Sequence, residues 1–264
     1  MQSDIQRIGQ ISVFIIVGIV CILILGVSFV FSFKETTPIS GTHPRFPELK
    51  SITRHCLAET GSAAVLYISA QGGFFMLPSD NAPQLPYYLI GGKQSVPSLG
   101  VFEQSMIEYL QSELSFCINR NTPSEVSPKI ISTQVIGQHD DVVFIAKINF
   151  QTPTQPVQDV LVEETVTIKS RLSLLQSVAK EVVAIQAGQK AICLSCLANL
   201  GESKNLSIII GRQDNEDLLV QIIDRTSNKQ KGALIDPAIE SPFVLAFLMQ
   251  PYNISSPQNT AVFR

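Results

Sequence analysis

Residues 11–33, ISVFIIVGIVCILILGVSFVFSF, carry no charged side chain over 23 positions. A helix of that length spans roughly 35 Å at about 1.5 Å per residue, enough to cross a hydrocarbon layer of about 30 Å. In water it exposes apolar side chains all round, whereas in lipid its own backbone bonds satisfy every polar group. The run therefore predicts a single N-terminal transmembrane helix ahead of a soluble region. A cleaved secretory signal fits less well. Its apolar core is usually about 7–15 residues, and the exit Phe29-Val30-Phe31-Ser32-Phe33 has no small-x-small site.

About 220 residues follow the run and its linker, enough for one large domain or two small ones packed together. The net charge is −3 and the sequence pI about 5.6, so no basic patch points to nucleic acid. Tryptophan is absent, which removes the usual sugar-stacking platform. Flanking charge does not orient the helix: Arg7 is offset by Asp4, and Lys34 by Glu35. Cysteines and sequons are more informative. Cys21 lies within the apolar run, leaving Cys56, Cys117, Cys193 and Cys196, an even set consistent with two disulfides in an exported domain. Asn205-Leu206-Ser207 and Asn253-Ile254-Ser255 fit the N-glycosylation pattern, making Asn205 and Asn253 glycosylation candidates. Together these place the soluble region outside the cytoplasm, with a lipid bilayer as one partner.

The chain divides into a short tail (1–10), the apolar helix (11–33), a linker broken by Pro38, Gly41 and Pro44 (34–46), a helix-hairpin-helix subdomain (47–128), an α+β sheet subdomain (129–250) and a loose polar tail (251–264). Residues 47–70 predict a helix, ended by Gln71-Gly72-Gly73. Phe74–Leu77 and Leu85–Ile90 predict paired short strands. Residues 98–118 predict a second helix with Phe102, Met106, Tyr109, Leu110, Leu114 and Cys117 on one buried stripe. If the two helices run antiparallel, Cys56 (early in the first) and Cys117 (late in the second) meet at one end, which predicts a Cys56–Cys117 disulfide. From residue 129 the period becomes two. Strands are expected at 129–136, 142–151, 159–169, 206–210, 218–224 and 243–249, with a helix over about 170–188 and a short one near 190–200.

Candidate chemistry is sparse. Cys193-Leu194-Ser195-Cys196 is the sharpest motif, because a CxxC pair at a helix start can exchange disulfides. A thioredoxin-type site needs a buried strand directly before the motif, whereas here a helix precedes it, so a structural disulfide or a pair of thiols is the plainer reading. A zinc site needs two further ligands, and no second CxxC or HxxxH exists. His139-Asp140-Asp141 falls in an expected turn, His43 stands alone in the linker, and His55 beside Cys56 points about 100° away on a helix. No catalytic, cofactor or metal residues are assigned. There is no GxSxG, phosphate loop or GxGxxG.

Arg7-Ile8-Gly9-Gln10 before the apolar run is similar to the signal of archaeal type IV pilins, which are cut after the glycine. Two departures stand out: no basic residue directly precedes Gly9, and Phe14 stands where many pilins keep a glutamate. The ordered set RIGQISVFIIVGIV, HCLAETGSAAVLYISAQGGFF, PYYLIGG, PSLGVFEQSMIEYLQSELSFCI and SPFVLAFLMQP resembles a group of single-anchor cell-surface proteins of DPANN archaea. That resemblance implies an archaeal surface protein and agrees with the Cys56–Cys117 pairing. It implies no catalytic residues.

The fold expected is α+β: one transmembrane helix, a disulfide-clasped helical hairpin and a mainly antiparallel sheet with one further long helix. The function expected is a membrane-anchored, extracytoplasmic, non-enzymatic protein of envelope structure, attachment or partner binding, including self-association. A pilin-like filament subunit processed after Gly9 is the alternative, and a thiol-disulfide enzyme using Cys193 and Cys196 is third.

Overall fold

The structure is a computed structural model that describes residues 46–77, 85–152, 158–187, 189, 191–213, 217–226 and 242–250. Helix α1 (Phe46–Ala70) lies at its centre, burying a wide stripe that runs through Leu49, Thr53, Cys56, Leu57, Thr60, Gly61, Ala64, Val65 and Ile68. Small residues in that stripe let neighbours come close. A methyl group added at Gly61 would lie 3.1 Å from the ring of Phe144, so the missing side chain is the seat for that ring. Thr53 is fully buried, and its hydroxyl donates to the Leu49 carbonyl at 2.8 Å, so no polar group is stranded there.

The chain leaves α1 through Gly72 and Gly73, both left-handed (φ 64° and 86°). Their amides donate to Ser69 and Ile68 carbonyls at 3.0 and 2.7 Å, which stops the helix. The turn also has no room for a side chain: a methyl on Gly73 would lie 2.6 Å from the Phe102 ring. Gly73→Ala should therefore cost about 3 kcal/mol from strained φ plus overpacking. Gly92→Ala, at φ 81° with nothing within 4 Å of the added carbon, should cost only about 1 kcal/mol. Denaturant midpoints of the two variants separate the two contributions.

Strands β1 (Tyr87–Ile90) and β2 (Lys93–Gln94) form a tight hairpin, followed by helix α2 (Leu99–Asn121). Helix α2 runs antiparallel to α1, with Phe102, Met106, Leu110, Leu114 and Ile118 buried. Strands β3 (Ser127–Gly137), β4 (Asp141–Thr152) and β5 (Gln158–Lys169) make a three-stranded antiparallel sheet in the order β3-β4-β5. Val142, Phe144, Ala146, Ile148 and Phe150 of β4 face the helices and are fully buried, following the period-two pattern of a sheet covered on one side. Glu164 of β5 also points inward, where Lys50 Nζ of α1 meets its Oε1 at 3.4 Å.

Helix α3 (Leu172–Ala187) and helix α4 (Leu194–Ser203) precede strands β6 (Ser207–Arg212), β7 (Leu218–Asp224) and β8 (Phe243–Met249). These strands and the β1–β2 hairpin form a second sheet in the order β2-β1-β8-β7-β6. Strand β8 is its spine. Six of its seven residues are buried, and both α1 and α3 pack against it. It pairs antiparallel with β7 and parallel with β1, and Tyr88 stacks on Phe247 with ring centroids 4.2 Å apart. The Tyr88 hydroxyl donates to the Gly72 carbonyl at 2.9 Å, and burial pushes its pKa above the ordinary phenol range.

Helix α3 lies along the second sheet and is tied down over its first two turns. Near its start, Arg171 Nε and Nη2 donate to Asp224 Oδ2 and Oδ1 at 2.9 and 2.6 Å. The same guanidinium reaches the Lys204 and Asn205 carbonyls at 3.4 and 3.2 Å. Asp224 is fully buried and also accepts from the Thr226 amide and hydroxyl. In the second turn, Gln176 Nε2 donates to the Pro97 carbonyl at 2.7 Å.

Three expectations are corrected. First, no helix among the described residues is long and apolar enough to cross a membrane. Helix α1 has the length, but Glu48, Lys50, Arg54, His55 and Glu59 interrupt it, and its apolar residues serve the protein core. The 11–33 run lies outside the described residues, as do the 1–10 tail, the pilin-like Gly9 site, the 34–45 part of the linker and the 251–264 tail. Second, the strands form two sheets rather than one mainly antiparallel sheet, and one pairing is parallel. Apolar alternation marks a strand but does not choose its partner. Third, Phe74–Leu77 is not a strand, because the chain leaves the Gly72-Gly73 turn without a ladder partner, and β1 pairs with β2 and β8 instead. The β1–β8 pairing joins a strand before residue 128 to one after it.

Candidate functional site

The four cysteines outside the apolar run fall into two pairs with very different surroundings. Cys56 on α1 and Cys117 on α2 are disulfide-bonded, with Cα atoms 5.7 Å apart. Cys56 is fully buried, and Asn121 Nδ2 donates to the Cys117 carbonyl at 2.9 Å while lying 3.5 and 3.7 Å from the two sulfurs. The bond spans 61 residues and ties the first half of one helix to the end of the other, with Cys56 buried and Cys117 half-exposed.

Cys193 and Cys196 are also bonded, with Cα atoms 5.3 Å apart and only three residues of separation. Cys193 is the N-cap of α4, and its Sγ accepts from the Cys196 amide at 3.3 Å. Both cysteines are half-exposed, and Leu194 between them stands out into solvent at 66% exposure. Closing so short a loop removes little chain entropy, roughly 2 kcal/mol or less. The positive end of a helix favours a thiolate at the capping position.

Just before Cys193 the chain lines a pocket of about 100 Å³ at the end of the five-stranded sheet. Leu89, Leu218 and Met249 supply its wall from β1, β7 and β8, and Ile192 closes it from the segment entering α4. Three carboxamides, Gln186, Gln189 and Gln250, supply polar contacts, and no charged side chain lines it. Gln186 is only 7% exposed, and its Nε2 has no hydrogen-bond partner. A buried amide without a partner costs free energy, so a ligand able to accept from it gains more than an ordinary hydrogen bond.

The remaining sequence candidates are placed without forming a centre. His139 sits in the β3–β4 turn with 85% of its side chain exposed, 4.0 Å from Asp140. Asp141 instead pairs with Lys169 Nζ at 2.6 Å. His55 faces Glu59 one turn along α1 at 3.7 Å, not the neighbouring Cys56. No cluster of three or more His, Cys, Asp or Glu suited to a metal exists among the described residues. Asn205 is exposed in the α4–β6 turn at φ 53°, with Ser207 opening β6, so that sequon is on the surface. Asn253 lies outside the described residues. Sequence reasoning missed the pocket. Its walls come from four stretches of chain, each of which looks locally like ordinary core or loop.

No protein-family model, curated protein or solved structure matches the chain. The resemblance to the archaeal surface group thus rests on the quoted sequence segments alone.

Proposed function

We propose that this protein works outside the cytoplasm, at a cell surface, as a partner-binding domain. The observation that carries the reading is the Cys56–Cys117 bond, since bonds of this kind form and persist in oxidising compartments. The exposed second pair and the surface position of Asn205 fit the same compartment. The uncharged 11–33 run supports a lipid bilayer as neighbour.

The outer face of the three-stranded sheet supports binding. Val143, Ile145, Lys147 and Asn149 of β4 lie on it. Ile136 and Gln134 of β3 flank them on one side, with Thr167, Thr165, Glu163 and Leu161 of β5 on the other. Ile136 and Leu161 are 45% and 41% exposed, and the pair Lys147–Glu163 (3.4 Å) neutralises the middle. A broad, half-apolar face whose central charges pair with each other is what partner surfaces use. Strands β3 and β5 are also edges 11 and 12 residues long, able to accept an added strand.

The test is exposure in intact cells. A membrane-impermeant amine reagent should label the chain before lysis, and the labelled chain should pellet with membranes at high pH. Labelling only after lysis would overturn the reading.

A further inference from the structure

We propose that Cys193 and Cys196 form a thiol-disulfide exchange site whose substrate is a cysteine pair carried on an uncharged, extended peptide segment. Four observations converge. Both cysteines of this bond are half-exposed, whereas in the other bond Cys56 is fully buried and Cys117 alone is half-exposed. Cys193 caps a ten-residue helix and accepts the Cys196 amide, so a thiolate released there is held by a hydrogen bond and the helix end. The pocket begins at the residue next to Cys193, placing Ile192, Leu218 and Met249 where an apolar side chain beside a substrate cysteine would seat. Gln186 lines that pocket with an unpartnered Nε2 while 7% exposed. An amide has the donor-acceptor pattern of a peptide bond, and with Gln189 and Gln250 it can pair with a substrate backbone.

The exchange is balanced. A substrate thiolate attacks Cys193 Sγ, the Cys193–Cys196 bond breaks, and Cys196 leaves as a thiolate that takes up a proton. The substrate's second thiolate attacks the substrate sulfur of the mixed disulfide and expels Cys193, which is stabilised by the Cys196 amide. The substrate ends as a disulfide, having lost two electrons and two protons, and Cys193 and Cys196 end as thiols, having gained them. A small-molecule disulfide of the glutathione class returns the pair to its oxidised state.

This adds chemistry to a domain otherwise read as a binding module, and it does not depend on the flat sheet face. The test uses the full-length chain in mild detergent. Wild-type protein, equilibrated in glutathione buffers of graded ratio and then alkylated, should show Cys193 and Cys196 titrating together while Cys56 and Cys117 stay oxidised. With an oxidised peptide carrying a disulfide flanked by leucine, the Cys193 thiolate of Cys196→Ser should attack that disulfide and accumulate a mixed disulfide on Cys193, seen by mass spectrometry, the second peptide sulfur leaving as a thiol, and Cys193→Ser should accumulate at least tenfold less. Ile192→Asp should lower the ratio of peptide rate to glutathione rate at least tenfold. If the wild-type pair resists reduction in folded protein, or if that rate ratio is unmoved by Ile192→Asp, the proposal fails.

Discussion

Replacing Cys56 and Cys117 together with alanine should lower the unfolding free energy by about 4 kcal/mol. The bond closes a loop with a sequence separation of 61, and the chain-entropy cost of an open loop grows with its length. Strain does not offset the gain, because α1 and α2 already pack antiparallel along the Phe102, Met106 and Leu110 stripe, so the cysteines meet without distorting either helix. Cys56 is fully buried, and alanine there leaves a small void that adds to the loss. Removing Cys193 and Cys196 in the same way should cost roughly 2 kcal/mol or less, since that loop is nearly closed in any conformation. Chemical denaturation of the two double variants beside wild type checks both figures. Equal losses would mean that the long-loop bond is not the fold's clasp.

Arg171→Met should be as damaging, at about 3–5 kcal/mol, because it strips the guanidinium from a fully buried carboxylate. Two further ties go with it, to the Lys204 and Asn205 carbonyls, so the start of α3 and the α4–β6 turn both lose their anchor. The partnered replacement Arg171→Met with Asp224→Leu should recover most of the loss, since an apolar pair has no charge to strand. The hydrogen bond to Asp224 raises the Arg171 pKa above its ordinary value, against the opposing effect of burial. A basic group raised on folding contributes fully below its unfolded pKa, so this pair brings no loss from arginine titration anywhere near neutral pH. Thermal unfolding of the single and double variants decides it. A single variant within 1 kcal/mol of wild type would remove the ion pair from the account of how α3 is held.

Most elements were legible because each carries its own periodicity. The 47–70 and 98–118 helices are found at Phe46–Ala70 and Leu99–Asn121, and the 243–249 strand at Phe243–Met249. The Cys56–Cys117 bond followed from two helix positions and one packing direction. What was not legible is pairing at a distance. Phe74–Leu77 has the side chains of a strand but follows a glycine turn that faces Phe102 and Pro86. Tyr87–Ile90 gives no local sign that its neighbour is β8. The site divided in the same way. Cys193 and Cys196 stand out by spacing, whereas Gln186, Leu218 and Met249 acquire meaning only where α3 and the ends of three strands converge.

The parallel seam between β1 and β8 has a consequence for biogenesis. Tyr87 and Leu89 sit opposite Leu248 and Met249, so the earliest strand of the larger sheet waits for the latest one. During synthesis Tyr88 lacks the Phe247 ring, and the greasy flank of α1 stays uncovered until residues 243–249 have emerged. Such long-range closure slows folding and leaves a sticky nascent chain that a holding chaperone must shield. Maturation is therefore a late, all-at-once event rather than a stepwise one, and a translation pause before residue 243 would expose the chain to proteolysis.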